Sequence, residues 1–157
     1  MLVFALALGA ALWTADERST RSRLLAEGEY PIERVVDGDT LLLASGPTVR
    51  LIGVNTPETV KPDHPIEPFG PEASQFTRAF LSAGQVRLTF DRERLDRYGR
   101  QLAYAWVGER MLNEELLRAG LARYEPQFHY SAAVKQRFRQ AEQEARQQQK
   151  GIWSTQE

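Results

Sequence analysis

Hydrophobic and polar residues alternate in short runs through most of this chain, interrupted at close intervals by glycine and proline. Residues 32–36 read as a strand, and Asp37-Gly38 directly after them is a hairpin-type turn signal. Residues 40–43 make a second strand, Ser45-Gly46-Pro47 turns the chain again, and residues 48–54 make a third. Three strands joined by two tight turns form a meander. The stretch 55–69 holds Pro57, Pro62, Pro65 and Pro68 and reads as a surface loop. Gly70-Pro71-Glu72 then suits a helix start, with proline in the first turn and an acid near the positive end of the dipole. Ala73, Phe76, Thr77, Phe80 and Leu81 recur at helical spacing, so this helix lays one face on a core, and Gly84 ends it.

Val86, Leu88 and Phe90 alternate with polar neighbours as a fourth strand, and residues 102–107 make a fifth. Asn113 is placed to cap a short helix, with Glu114 and Glu115 in its first turn and Gly120 closing it. A last helix is expected over 131–149, its apolar stripe being Val134, Phe138, Ala141 and Ala145, with Gly151 as its stop. Five short strands, a helix after the third and two more helices at the end form the element order of a five-stranded OB-type barrel with three α-helices. Such barrels bind oligonucleotides on one face.

Residues 2–13 stand apart from this pattern as a nearly unbroken apolar run. The run is short of the roughly 20 residues that span a bilayer as a helix, but it suits the core of a signal peptide. Gly9-Ala10-Ala11 supplies small residues at a cleavage spacing, although no basic residues precede the run. Arg18, Arg21 and Arg23 after it would equally flank a membrane anchor. Residues 1–26 are therefore set aside as signal peptide or anchor plus linker, and 27–157 as one domain, a usual size for a single core. A secreted or periplasmic location follows, with membrane contact only through residues 2–13.

The chain contains no cysteine, which excludes a disulfide framework, a thiolate metal site and a cysteine nucleophile. His64 and His129 are the only histidines, so a metal would be held by oxygen. That favours calcium, magnesium or manganese over zinc. The net charge of −1 does not by itself suggest a nucleic-acid partner, since such domains usually carry a basic stripe. Arginine is dense at Arg87, Arg92, Arg94, Arg97 and Arg100, which composition bias explains as readily as function. An enzyme gripping one phosphate needs no large net charge. No oligomerisation signal is present, and a monomer is expected.

Several polar residues interrupt the strand pattern. Asp37-Gly38-Asp39-Thr40 places two carboxylates around a turn. Turn chemistry accounts for Asp37, whereas Asp39 at a strand start is available as a hard-cation ligand. Arg50 sits within the apolar run Val49-Arg50-Leu51-Ile52-Gly53-Val54, where it could simply face solvent. Asn55-Thr56-Pro57-Glu58 and Asp96-Arg97-Tyr98-Gly99-Arg100 would each pass for a polar loop.

Taken in order, D-G-D-T, V-R-L-I-G-V-N-T-P-E, F-G-P-E-A-S, D-R-Y-G-R and G-I-W-S closely resemble the staphylococcal-nuclease family, from about Tyr30 to Ser154. The resemblance implies a five-stranded OB barrel with three helices. It also implies a divalent-metal-dependent nuclease that cuts DNA and RNA with little sequence preference, leaving a 5′-hydroxyl and a 3′-phosphate. By the same resemblance Asp39 is a calcium-ligating carboxylate and Thr56 offers a backbone carbonyl. Glu58 activates or orients the attacking water, and Arg50 and Arg100 clamp the phosphate.

One position departs from the family pattern. Asn55 stands where the best-known members have a second metal-binding aspartate, keeping an oxygen ligand but removing a charge. Calcium should bind more weakly there, or magnesium or manganese be preferred. The alternative is a degenerate domain that binds nucleic acid without cutting it; the presence of Asp39, Glu58, Arg50 and Arg100 argues for activity. Tyr124 and then Tyr130, which follow Gly120-Leu121-Ala122, are the candidates for a nucleotide contact, ordinary packing being the other reading of each. Tyr98 reads as support for the turn that presents Arg100, and Trp153 as packing for the C-terminal helix.

Overall fold

The computed structural model describes residues 24–59 and 65–154. The apolar run 2–13, its candidate cleavage site and His64 lie outside the described residues. Four antiparallel pairings and one parallel pairing close a barrel. Strand β1 (Gly28–Asp37) pairs along its second half with β2 (Thr40–Leu43) and along its first half with β5 (Gln85–Thr89). Register shifts between Ile32 and Arg34 and between Val35 and Asp37 bend β1, which lets one strand serve two neighbours. Strand β3 (Thr48–Leu51) pairs antiparallel with β2 and parallel with β6 (Gln101–Val107), and β6 returns antiparallel to β5. The circuit β1-β2-β3-β6-β5 is the expected five-stranded OB barrel. A two-residue strand, β7 (Arg110–Met111), extends the end of β6 as a hairpin.

Period-two alternation accounts for the barrel interior. Leu41, Leu43, Val49, Leu51, Val86, Leu88 and Leu102 are fully buried, each contributing about 1.5–3 kcal/mol by leaving water. Three helices cover the barrel: α1 (Gly70–Phe80), α2 (Leu112–Arg118) and α3 (Ala132–Gln147). Helix α1 buries Ala73 and Thr77, with Leu81 just past its end, while Phe76 and Phe80 are only partly covered and stack on each other at 6.3 Å. Helix α3 buries Phe138, Ala141 and Ala145, and Phe138 meets Tyr104 and Tyr130 in a cluster of rings.

Three local readings change in the structure. The third strand stops at Leu51 instead of running to Val54, because Gly53 takes φ +78, a left-handed conformation that ends extended pairing. A Cβ at Gly53 would also lie 2.7 Å from the Tyr130 hydroxyl. The chain then re-forms a two-residue strand, β4 (Val54–Asn55), on a separate ribbon with β8 (Arg123–Tyr124). Asn113 is not a cap. It is fully buried inside α2, accepting from the Ala105 N–H and donating to the carbonyls of Ile52 and Ala103, so it stitches the helix to the barrel. Leu25 already docks, its N–H donating to Gln101 and its carbonyl accepting from Arg94, so the fold begins before residue 27. Trp153, in the 3-10 turn Gly151–Trp153, packs under the guanidinium groups of Arg123 on the ribbon and Arg146 on α3, at 4.5 and 3.8 Å, in keeping with packing for the C-terminal helix.

Candidate active site

The β1–β2 turn, the end of β3 and the loop after β4 converge because of register. Thr40 lies opposite Arg50 across the β2–β3 pair, so Asp39 sits beside Arg50. Asp37 turns inward. Its carboxylate is buried and accepts from the Gly38 N–H, the Thr59 hydroxyl and the Ser74 hydroxyl, tying the turn to the loop and to α1. The Thr77 hydroxyl adds a bond to the Gly38 carbonyl at 2.6 Å. Asp37 thus anchors the loop that carries Glu58, which is more than turn chemistry alone would require.

Asp39 Oδ2 accepts the Thr56 N–H at 2.8 Å, and Oδ1 accepts the Thr40 hydroxyl at 2.9 Å. Arg50 does not face solvent; its side chain is 7% exposed. One terminal nitrogen, Nη1, donates to the carbonyls of Leu51 (2.7 Å) and Val54 (2.5 Å), the backbone freed by the break at Gly53. The other, Nη2, meets three oxygens: Asn55 Oδ1 at 3.1 Å, Asp39 Oδ2 at 3.3 Å and Glu125 Oε2 at 3.3 Å. A buried guanidinium needs such partners, because an unpaired charge in low dielectric is strongly unfavourable.

Arg100 is presented differently. Asp96 Oδ1 accepts the backbone N–H groups of Tyr98 and Arg100, and Oδ2 accepts Arg100 Nε at 2.5 Å. Gly99 at φ +78 completes this tight turn just ahead of β6. The Arg100 side chain remains 32% exposed and lies 5.5 Å from the ring of Tyr98. Glu58 is held through its backbone, its N–H donating to the Glu67 carboxylate and its carbonyl accepting the Glu67 N–H. Glu58 lines the same cleft as Arg50 and Arg100.

Asp39, Arg50, Asn55, Glu58 and Arg100 all line one open cleft of about 580 Å³. Thr56 does not. It is almost wholly buried and borders a neighbouring hollow of about 250 Å³, touching the site through its N–H on Asp39. Tyr130 is a correction: at 3% exposure it is a core residue packed between Tyr104 and Phe138, its hydroxyl donating to the Glu125 carbonyl. Burial pushes that hydroxyl far above the ordinary phenol range, so it stays protonated. Tyr124 is half-buried on β8 with its hydroxyl enclosed, and it does not line the cleft. The cleft instead recruits Tyr98, 68% exposed, with Phe128 and Glu125. Only Tyr98 carried a local signal, as an aromatic inside the D-R-Y-G-R turn.

The donor set can be tested against a divalent cation. Among the described residues no three of His, Cys, Asp and Glu gather as a metal cluster. The oxygens that the family motifs bring to the site are the Asp39 carboxylate, the Asn55 amide and the backbone near Thr56; the Glu125 carboxylate also meets Arg50 Nη2. Asp39 Oδ2 and Asn55 Oδ1 both reach the same cationic nitrogen, so they lie close together and already face positive charge. Such hard oxygens fit a calcium-class ion, held with one charge fewer than two carboxylates would give.

A model of the "Staphylococcal nuclease homologue" family matches residues 48–155. A thermonuclease of Staphylococcus hyicus is 46% identical over 134 residues, covering 82% of this chain and 77% of that protein. A thermonuclease of Staphylococcus intermedius is also 46% identical, over 79% of this chain and 75% of its own length. Endonuclease YncB of Bacillus subtilis is 40% identical over 78% of this chain, which spans 60% of the longer relative.

Proposed function

The chain belongs to the staphylococcal nuclease family, and from that membership we infer that it is a phosphodiesterase that cleaves nucleic acid. We propose further that it is divalent-metal-dependent, acts on DNA and RNA with little sequence preference, and leaves a 5′-hydroxyl and a 3′-phosphate. The observation that carries this reading is the meeting of Arg50, Asp39 and Asn55 in the same cleft as Glu58 and Arg100.

Each side chain has a role that its placement supports. Arg50 and Arg100 approach from opposite origins, β3 and the turn before β6, and supply guanidinium groups to the phosphate. Phosphodiester hydrolysis builds negative charge on the non-bridging oxygens, and donors held in place beforehand stabilise it most. Glu58, at the lining of the cleft, would orient the attacking water and accept its proton. Asp39, Asn55 and the Thr56 carbonyl would hold calcium, or magnesium or manganese in view of Asn55. A cation there supplies positive charge against the developing charge of the phosphoryl group. The exposed ring of Tyr98 offers a sequence-tolerant contact at the rim.

Residues 2–13 support export, to a secreted or periplasmic location or with an anchor. A monomer remains the expectation.

The test is digestion of single-stranded DNA, duplex DNA and RNA with calcium, magnesium, manganese or EDTA. Cleavage that needs a divalent ion, and that drops by about 10²–10⁴-fold in Glu58→Gln, is expected for a general base in this position. Binding without cleavage under every metal would instead make the domain a nucleic-acid-binding module. Wild-type rates in Glu58→Gln would remove Glu58 from the reaction.

A further inference from the structure

Glu125 has no counterpart in the motifs that carry the family resemblance, yet it reaches the centre of the site. Its Oε2 lies 3.3 Å from Arg50 Nη2, and its side chain is 22% exposed, against 9% for Asp39. Its backbone is fixed at both ends. The Glu125 N–H donates to the Gly53 carbonyl at 2.9 Å, and its carbonyl accepts the Tyr130 hydroxyl at 2.9 Å. The position is therefore a rigid continuation of β8, aimed by the same glycine break that frees the carbonyls around Arg50 Nη1.

We propose that Glu125 is a positioning and affinity-setting residue, the counter-charge that holds Arg50 Nη2 until the substrate phosphate displaces it. This rests on the reading of Arg50 as a phosphate ligand. Nη1 is bound to two backbone carbonyls, so a phosphate oxygen cannot use it without breaking the barrel's own bonds. Of the two terminal nitrogens, that leaves Nη2 for the phosphate. Of the three oxygens there, Asp39 is also held by Thr56 and Thr40, whereas the carboxylate of Glu125 is the most exposed of the two acids and borders the open cleft. Exchange of one carboxylate for one phosphate keeps the buried guanidinium paired at every stage, and it lowers the affinity for any anion by the cost of removing Glu125.

The experiment compares Glu125→Gln, Arg50→Ala, the double variant and Glu93→Gln. Glu93 lines the same cleft without contacting Arg50, so its substitution controls for the charge change alone. Binding of a fluorescent single-stranded oligodeoxynucleotide is measured by anisotropy in EDTA, and KM and kcat are measured separately with metal. Glu125→Gln is expected to tighten binding about 3–10-fold and to lower KM more than it changes kcat, as removal of a ground-state competitor should. The tightening of binding should vanish in the Arg50→Ala background, compared at a temperature where circular dichroism shows both variants folded, the signature of a coupled pair. The proposal is overturned by an equal tightening in Glu93→Gln, by an effect that persists without Arg50, or by weaker binding in Glu125→Gln. If folded Arg50→Ala protein binds the oligonucleotide as wild type does, it is the underlying site reading that fails.

Discussion

Arg50 and Arg100 are the same residue type facing the same cleft, and the protein holds them in opposite ways. Arg50 is buried, with Nη1 on two barrel carbonyls and Nη2 among three side-chain oxygens. Arg100 is a third exposed, and its Nε pairs with Asp96, four residues away in a turn. The first arginine is part of the barrel's polar interior, and the second is a feature of a surface turn. A charge surrounded by fixed dipoles needs little reorganisation when substrate charge develops, but its removal also damages the fold. Arg100 balances one buried carboxylate, Asp96, which backbone N–H groups also hold, so its removal should disturb the fold less.

The largest expected effect comes from Arg50→Ala. Removing it leaves Asp39 buried without its cation, so stability should fall by about 3–5 kcal/mol together with the loss of cleavage. Denaturant titration checks the first and a rate assay the second. Arg50→Lys sharpens the point, because lysine keeps the charge but cannot satisfy carbonyls and carboxylates through one planar fork. A stable Arg50→Ala protein would break the contrast between the two arginines.

Arg100→Ala should reduce kcat by about 10²–10³-fold, in the range of a lost transition-state donor. The Asp96 side chain is 6% exposed and would keep only its two backbone N–H partners, so stability should fall by about 1–3 kcal/mol, less than for Arg50→Ala. A loss of stability as large as that of Arg50→Ala would show that the turn is as structural as the barrel site. Asp96→Asn keeps Oδ1 for the two backbone N–H groups but removes the charge opposite Arg100 Nε. It should cost less than Arg100→Ala, roughly tenfold in rate, by loosening the arginine and not deleting it.

Asn55→Asp carries the smallest expected change in rate and acts on the Arg50 side only. Restoring a carboxylate beside Asp39 should tighten calcium binding, which an isothermal titration reads directly. An unchanged titration would place residue 55 outside the metal site.

Much of this arrangement is legible in the linear pattern. The turn at 37–38 and the alternation in β2 and β3 imply the hairpin register that sets Asp39 beside Arg50. The five strands and three helices follow from periodicity and from glycine and proline punctuation. Three residues were not readable that way. Asn113 has the composition of a cap, but its amide is used by backbone groups of two other segments. Tyr130 looks like a loop aromatic and is buried by Phe138 of a helix that follows it. Glu125 sits in a stretch with no motif, and it matters only because β8 pairs with β4.

The sequence by itself determined the element order, the family motifs and the chemical types in the site, since these depend on neighbours a few residues apart. The parallel closure of β3 on β6, the burial of Arg50 and the approach of Glu125 from 75 residues along the chain were decided only in the tertiary structure. They depend on which distant backbone groups need partners once the barrel closes, and no local pattern encodes that.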